Sequence, residues 1–194
     1  MLTTHILLFL SWVLYGVLHS LFASVSLKKW VQQHSGFVSK YYRLFYSVFA
    51  FASLISLLWF QFSIKSILLF EAAWLRFAIG LPLACIGAVI MLVCSKNYFL
   101  HMLGIEVFFN QDTAPVLKID GLHRYVRHPL YLGTFIFIIG LFCYFPFLSN
   151  LIATAVIIAY TLIGIRWEER KLVLEFGEQY RAYQNKVPML IPFF

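Results

Sequence analysis

Five long apolar runs, at about residues 2–22, 44–62, 74–94, 130–144 and 147–165, constrain this chain more than any other feature. A helix crossing the hydrocarbon core of a bilayer needs roughly 20 predominantly apolar residues. Within that core each backbone N–H and C=O must be satisfied inside its own segment, so continuous runs read as helices, whereas barrel strands would alternate. The fourth run is short and Pro146 separates it from the fifth. The two are expected to form a tight hairpin, with tilt making up the missing length. Composition points the same way. With 194 residues, 62% hydrophobic and 12% charged, the chain carries more apolar surface than a soluble domain of this size could hide. The predicted fold is an all-α polytopic membrane protein with about five transmembrane helices plus a C-terminal amphipathic helix.

A single membrane domain over residues 1–194 is expected. Its three-helix N-terminal part spans 1–94, and residues 95–194 carry a polar loop, the hairpin and the C-terminal helix. Nothing before Lys28 is Lys or Arg, so the first run reads as a retained helix and not as a cleaved signal peptide. The net charge of +7 is unevenly placed. Lys28, Lys29, Lys40 and Arg43 follow the first run; Lys96, Lys118, Arg124 and Arg127 follow the third; Arg166, Arg170, Lys171, Arg181 and Lys186 follow the fifth. The positive-inside rule then sets the N-terminus outside and the C-terminus in the cytoplasm of an inner membrane. Acidic lipid headgroups account for this basicity, and no nucleic-acid partner is implied. Cys85, Cys94 and Cys143 lie in apolar runs without metal-type spacing, so they read as packing residues.

Polar clusters at a membrane boundary are costly, and two stand out here. The first runs from Gly121 through His123, Arg127, His128 and Pro129 to Tyr131 and Gly133. Proline favours the first helical position, which puts His128 near the N-cap of the fourth span and leaves the N–H groups of Leu130 and Tyr131 able to receive an anion. Gly133 would let a ligand or a neighbouring helix approach closely. The second cluster is Arg166, Glu168, Glu169 and Arg170, at the end of the fifth run. Beyond it Leu172, Phe176, Tyr180, Tyr183 and Val187 recur at helical spacing, with charges on the other faces. Glu169 extends the apolar stripe, so a buried cationic partner is expected for it. One cluster suits an anionic end and the other a cationic end. A zwitterionic ligand fits the pair. The prolines at 188 and 192 are expected to keep the tail extended and folded back.

The ordered series Gly121, Arg127, His128, Pro129, Tyr131, Gly133, then Glu168, Glu169, Leu172, Phe176, Gly177, Tyr180, Tyr183, Val187 and Pro188 resembles the isoprenylcysteine carboxyl methyltransferase family and its phospholipid methyltransferase relatives. The resemblance covers about residues 108–192. It implies an enzyme with S-adenosylmethionine as cofactor in a cytosol-facing pocket and an acceptor entering from the bilayer. Carried over by position, it implies a cofactor site of Val116, Leu117, Lys118, His123, His128, Pro129, Leu130, Tyr131, Gly133, Glu168 and Glu169. Arg166 is the counterpart of an acceptor-binding arginine, and Arg127 joins it among the catalytic candidates. In the N-terminal half, Gly16, His19, Ser20, Ser24 and Lys28, with Tyr42, Arg43 and Tyr46, resemble bacterial membrane proteins related to methanethiol S-methyltransferases and to a nitric-oxide-reduction-associated family. That branch implies a small thiol acceptor, with His19 as a third catalytic candidate. Carboxyl methylation of prenylcysteine and methylation of a lipid amine are the alternatives within the class.

Ser20, Ser24 and Lys28 at i+4 intervals would form one polar strip at the end of the first span, serving either a site or helix–helix hydrogen bonding. A reading from another class is a non-catalytic haem or redox protein, with ligands among His5, His19, His101 and His123. No metal site follows from the cysteines.

Overall fold

A computed structural model of the chain describes residues 1–34, 36–96 and 117–192. The described residues are overwhelmingly helical, and their only sheet-like feature is an isolated bridge between Leu68 and Phe147. Four helical stretches, Leu2–Ala23, Tyr41–Ser63, Leu75–Ser95 and Leu148–Phe176, are long and apolar enough to cross a bilayer, and Pro129–Tyr144 is a shorter apolar helix. The protein is an integral membrane protein of the all-α polytopic class.

The chain divides into two compact units, one from Met1–Ile67 with Asn97–Thr113, the other from Leu68–Lys96 with Ala114–Phe194. In the first, α1 (Leu2–Ala23), α2 (Val25–His34) and α3 (Gly36–Ser63) follow one another. Polar ties hold α1 antiparallel to α3. Trp12 Nε1 donates to Gln61 Oε1 at 2.8 Å, His5 Nε2 lies 3.1 Å from Ser66 Oγ, and Tyr42 donates to the Phe22 carbonyl at 2.8 Å. Such bonds matter between spans because lipid tails supply no hydrophobic drive for helix association. The expected strip of Ser20, Ser24 and Lys28 is broken. Ser24 is extended (φ −69°, ψ 142°), so α1 stops there. Its hydroxyl accepts from the Leu27 N–H at 3.3 Å and caps α2, the role for which serine is favoured at a helix start.

In the second unit a π-helical turn, Leu75–Gly80, leads into α4 (Leu81–Ser95), which pairs antiparallel with α5 (Pro129–Tyr144). The pair is built on small residues. A Cβ at Gly133 would sit 2.8 Å from Ile90 Cγ2, and one at Gly140 would sit 2.9 Å from Ala84 Cα. The backbones therefore meet directly, the usual means of tight packing in lipid. The third span thus groups with the C-terminal hairpin, although chain order groups it with the first two. Its two glycines, Gly80 and Gly87, face the partner backbone of α5.

The tight turn at Pro146 is pinned from outside the hairpin, since the Leu69 N–H donates to the Pro146 carbonyl at 2.8 Å. From it rises α6 (Leu148–Phe176). The fifth apolar run ends at residue 165, yet the helix continues eleven residues further, about 16 Å at 1.5 Å per residue. Charged side chains end a span without ending a helix. What stops α6 is Gly177, at φ 55° and ψ −128°, a conformation that disfavours any side chain. The periodic C-terminal segment is therefore two pieces: the prolongation of α6 and the short α7 (Glu178–Gln184).

Candidate functional site

The site is assembled in the second unit, where the start of α5 meets the prolonged end of α6. Gly121 adopts φ 59°, making the turn that opens a 3-10 turn over Gly121–Arg124. The chain then reaches His128, the N-cap of α5, with Pro129 at its first position. No side chain caps this start. The first-turn N–H groups are the ones an α-helix leaves without internal partners.

Glu169 is the centre of the cluster. Its Oε1 accepts from Arg127 Nε at 2.7 Å, from His128 Nε2 at 3.1 Å and from the Tyr180 hydroxyl at 3.4 Å. Its Oε2 accepts from Gln184 Nε2 at 3.3 Å. Arg127 and Glu169 keep only 11% and 16% of their side chains exposed, so this is a largely desolvated, charge-assisted pair. The buried cationic partner expected of Glu169 is therefore Arg127. Arg127 also ties down the tail. Its Nη1 donates to the carbonyls of Gln184 and Val187, and its backbone N–H donates to the Pro188 carbonyl at 2.9 Å. The His128 N–H does the same to the Met189 carbonyl at 3.2 Å. The tail thus returns against residues 127 and 128, through turns and bends over residues 185–192 and not as the extended segment its prolines suggest.

Glu168, one residue earlier, faces a different task. Its Oε2 accepts from the Tyr131 hydroxyl at 2.9 Å. Among the described residues no donor reaches its Oε1. Adjacent helical residues point about 100° apart, so the two carboxylates meet different partners. Burial, reinforced by the Glu169 charge, pushes the Tyr180 phenol above its ordinary range, so it stays protonated and donates. Tyr183 donates to the His123 carbonyl at 2.6 Å, and His123 Nδ1–H donates to the Arg127 carbonyl at 3.1 Å.

Burial lowers the His123 pKa; the Arg127 carbonyl pulls against it, while the Lys118 and His128 charges add to the lowering. A histidine depressed in the fold takes its proton more readily when unfolded, so stability is complete above about pH 6.5 and declines as pH falls below it. Thermal unfolding between pH 7 and 5 is expected to show this decline, and His123→Gln to flatten it. An unchanged slope in the variant would remove His123 from the site's pH response.

Of the sequence-predicted residues, the structure brings together Arg127, His128, Pro129, Tyr131, Glu168 and Glu169, with Leu130 on the first turn of α5 and His123 and Lys118 close by. Leu117 lies in the irregular stretch leading to this turn. Val116 lies outside the described residues, as does His101. Gly133 is buried against Ile90 and the Gly87 carbonyl of α4, so the close approach it permits is that of a helix. Arg166 is exposed and lines an open groove of about 490 Å³ with Glu169, Arg170, Val173, Leu174 and Gln184. His19 belongs to the first unit, where the Tyr46 hydroxyl lies 2.9 Å from its Nε2. His5 Nδ1 is likewise engaged, by the Met1 carbonyl at 2.7 Å. Among the described residues no three histidines, cysteines or carboxylates gather as metal ligands. Sequence reasoning missed Gln184 and the backbone carbonyls of residues 184, 187, 188 and 189. The first is one polar residue among several, and the carbonyls carry no side-chain signal at all.

Fold and site together define a polytopic helical membrane protein with a charged site where a two-helix hairpin opens. Residues 75–179, which hold both clusters and the α4–α5 pair, match the model of the phospholipid methyltransferase family. The chain belongs to that family. It is 34% identical over 189 residues to methanethiol S-methyltransferase 1 of Bradyrhizobium diazoefficiens, covering 92% of this chain and 64% of that protein. It is 36% identical over 120 residues to the methanethiol S-methyltransferase of Crocosphaera subtropica, covering 57% of this chain and 45% of that protein. It is also 40% identical over 78 residues to the protein-S-isoprenylcysteine O-methyltransferase of Schizosaccharomyces pombe, covering 40% of this chain and 33% of that protein. The chain thus spans less than two-thirds of the length of each of these relatives. No solved structure matches it significantly.

Proposed function

We propose that this chain is an S-adenosylmethionine-dependent membrane methyltransferase that methylates a small thiol. The observation that carries this reading is the pairing of Glu168 and Tyr131 at the mouth of α5, with one carboxylate oxygen available. The chain's residues fit the cofactor. An available carboxylate suits its ammonium or sulfonium, and an uncapped helix start suits its carboxylate. When bound, the cofactor supplies a methyl group activated by its sulfonium. The protein's part is to hold, orient and exclude water. In this reading Glu168, Tyr131, His128, Pro129 and Leu130 hold the donor, with His123, Lys118 and Leu117 completing the described part of the site. Arg127 and Glu169 keep that frame rigid. His19 is assigned to the acceptor, where a thiol must lose its proton because the thiolate is the nucleophile.

The charge pattern supports a cytoplasmic site and C-terminus with the N-terminus outside, in a bacterial inner membrane. Arg124, Arg127, Arg166 and Arg170 all lie at the same end of the second unit's hairpin. A second reading rests on the Arg166–Arg170 groove, whose apolar edge of Val173 and Leu174 suits a lipophilic carboxylate. Prenylcysteine carboxyl methylation belongs there.

The test is calorimetric titration of S-adenosylmethionine into the detergent-solubilised protein, with labelled-methyl transfer to methanethiol, hexanethiol and a farnesylcysteine analogue. Glu168→Gln is expected to weaken donor binding at least tenfold, about 1.4 kcal/mol, with the fold intact. His19→Ala is expected to spare binding and lower turnover. Unchanged affinity in Glu168→Gln would overturn the donor site. Methylation of the farnesyl compound alone would move the assignment to the second reading.

A further inference from the structure

The first unit contains a cavity that the family match over residues 75–179 does not touch. It lies between α1 and α3, has a volume of about 290 Å³, and is lined by Ser11, Tyr15, His19, Ala50, Ser53 and Ser56 among others. Two of the polar ties flank it: Trp12–Gln61 lies toward one end of the cavity and His19–Tyr46 toward the other. We infer that this cleft binds the neutral, protonated form of a short-chain aliphatic thiol drawn from the bilayer.

Three properties of the lining select that class of ligand. The first is its lack of charge: no Lys, Arg, Asp or Glu lines it. An ion within a membrane span would be expensive to hold there without a partner, so carboxylates, phosphates and quaternary amines are disfavoured. The second is its hydrogen-bonding polarity. Ser11 donates to the Leu7 carbonyl at 2.8 Å, Ser53 to Phe49 at 2.7 Å and Ser56 to Ala52 at 2.9 Å. With their protons committed to the helix backbone, these hydroxyls offer lone pairs. The fitting ligand therefore brings its own hydrogen. The third is size, at the lower edge of the roughly 300–1,000 Å³ typical of small-molecule pockets. A short alkyl chain fills such a volume. A free thiol, with a pKa of about 8.5, is mostly neutral at pH 7, apolar over most of its surface and a weak donor at one end. It satisfies all three.

This inference rests on the thiol reading of the proposed function, and the test separates the two. The full-length protein in lipid nanodiscs is irradiated with a hexanethiol carrying a diazirine on its chain, and adducts are mapped by peptide mass spectrometry. Adducts are expected on α1 and α3 residues of the cleft, saturable by unlabelled hexanethiol, at least fivefold less sensitive to hexanoate, and reduced at least fivefold in Ala50→Phe, which fills the cavity. Hexanol competing as well as hexanethiol would overturn the thiol assignment. Adducts scattered along lipid-facing side chains, or labelling that does not saturate, would overturn the site, and this readout on the unaltered protein holds even if Ala50→Phe fails to fold. A saturable cleft adduct with no methylated thiol product supports the cleft and sinks the methyl-transfer reading. Methylated product with no cleft adduct does the reverse.

Discussion

Glu169→Ala is expected to destabilise the protein by about 3–5 kcal/mol, the usual cost of removing one member of a buried ion pair and stranding the other. The Arg127 guanidinium, 11% exposed, would lose its carboxylate, and Tyr180 and Gln184 would lose their acceptor in the same change. Because Arg127 also carries the Gln184 and Val187 carbonyls, the loss should reach the tail. Thermal unfolding in detergent measures the first effect, and tryptic cleavage after Lys186 the second. Glu168→Ala is the control. It removes a single side-chain hydrogen bond and should cost about 1 kcal/mol of stability while abolishing donor binding. Arg127→Ala and Glu169→Ala should be far from additive, since each deletes the same interaction. If the two glutamates prove equally important to stability, the division between scaffold and ligand carboxylate is wrong.

A second, smaller loss should follow from one methyl group at Gly140. A Cβ there would lie 2.9 Å from both Ala84 Cα and the Gly80 carbonyl, and it meets backbone that cannot rotate away. At Gly87 the obstacle is the Gly133 carbonyl, 2.7 Å distant. The helices must separate, giving up packing along the whole seam. Overpacking of this kind costs roughly 1–3 kcal/mol, and Gly140→Val should exceed Gly140→Ala. Gly164 in α6 supplies the contrast, because nothing lies within 4 Å of its virtual Cβ. Gly164→Ala should leave the unfolding midpoint unchanged or raise it, as alanine is the better helix former by about 1 kcal/mol. Equal shifts from Gly140→Ala and Gly164→Ala would mean that α4 and α5 do not meet backbone to backbone.

Much of the site was legible before the fold was known. His128 as an N-cap follows from Pro129, the turn at Asp120–Gly121 from its dipeptide, and the need of Glu169 for a cation from its place on the apolar stripe. Each of these is local: a residue type, a spacing of three or four, a fixed φ. Three things were not legible. Ser24 has the right spacing to continue α1 but leaves the helix to cap α2. The polarity of residues 166–170 marks the edge of the bilayer, yet α6 runs on to Gly177. The anchoring of the tail is made by backbone carbonyls at 184, 187, 188 and 189, which any residue would provide equally.

The amino-acid order by itself determined that this chain crosses a membrane as helices, because apolar runs of that length can satisfy their backbone groups in lipid only within themselves. It also determined which residues carry charge to the membrane boundary. The tertiary structure alone decided that α4 belongs with the C-terminal hairpin, and that Glu169 accepts from four side chains while Glu168 accepts from Tyr131. Two neighbouring carboxylates are chemically alike. Only the positions of Arg127, His128, Tyr180 and Gln184 around one of them, set by chain segments up to 42 residues away, make them different.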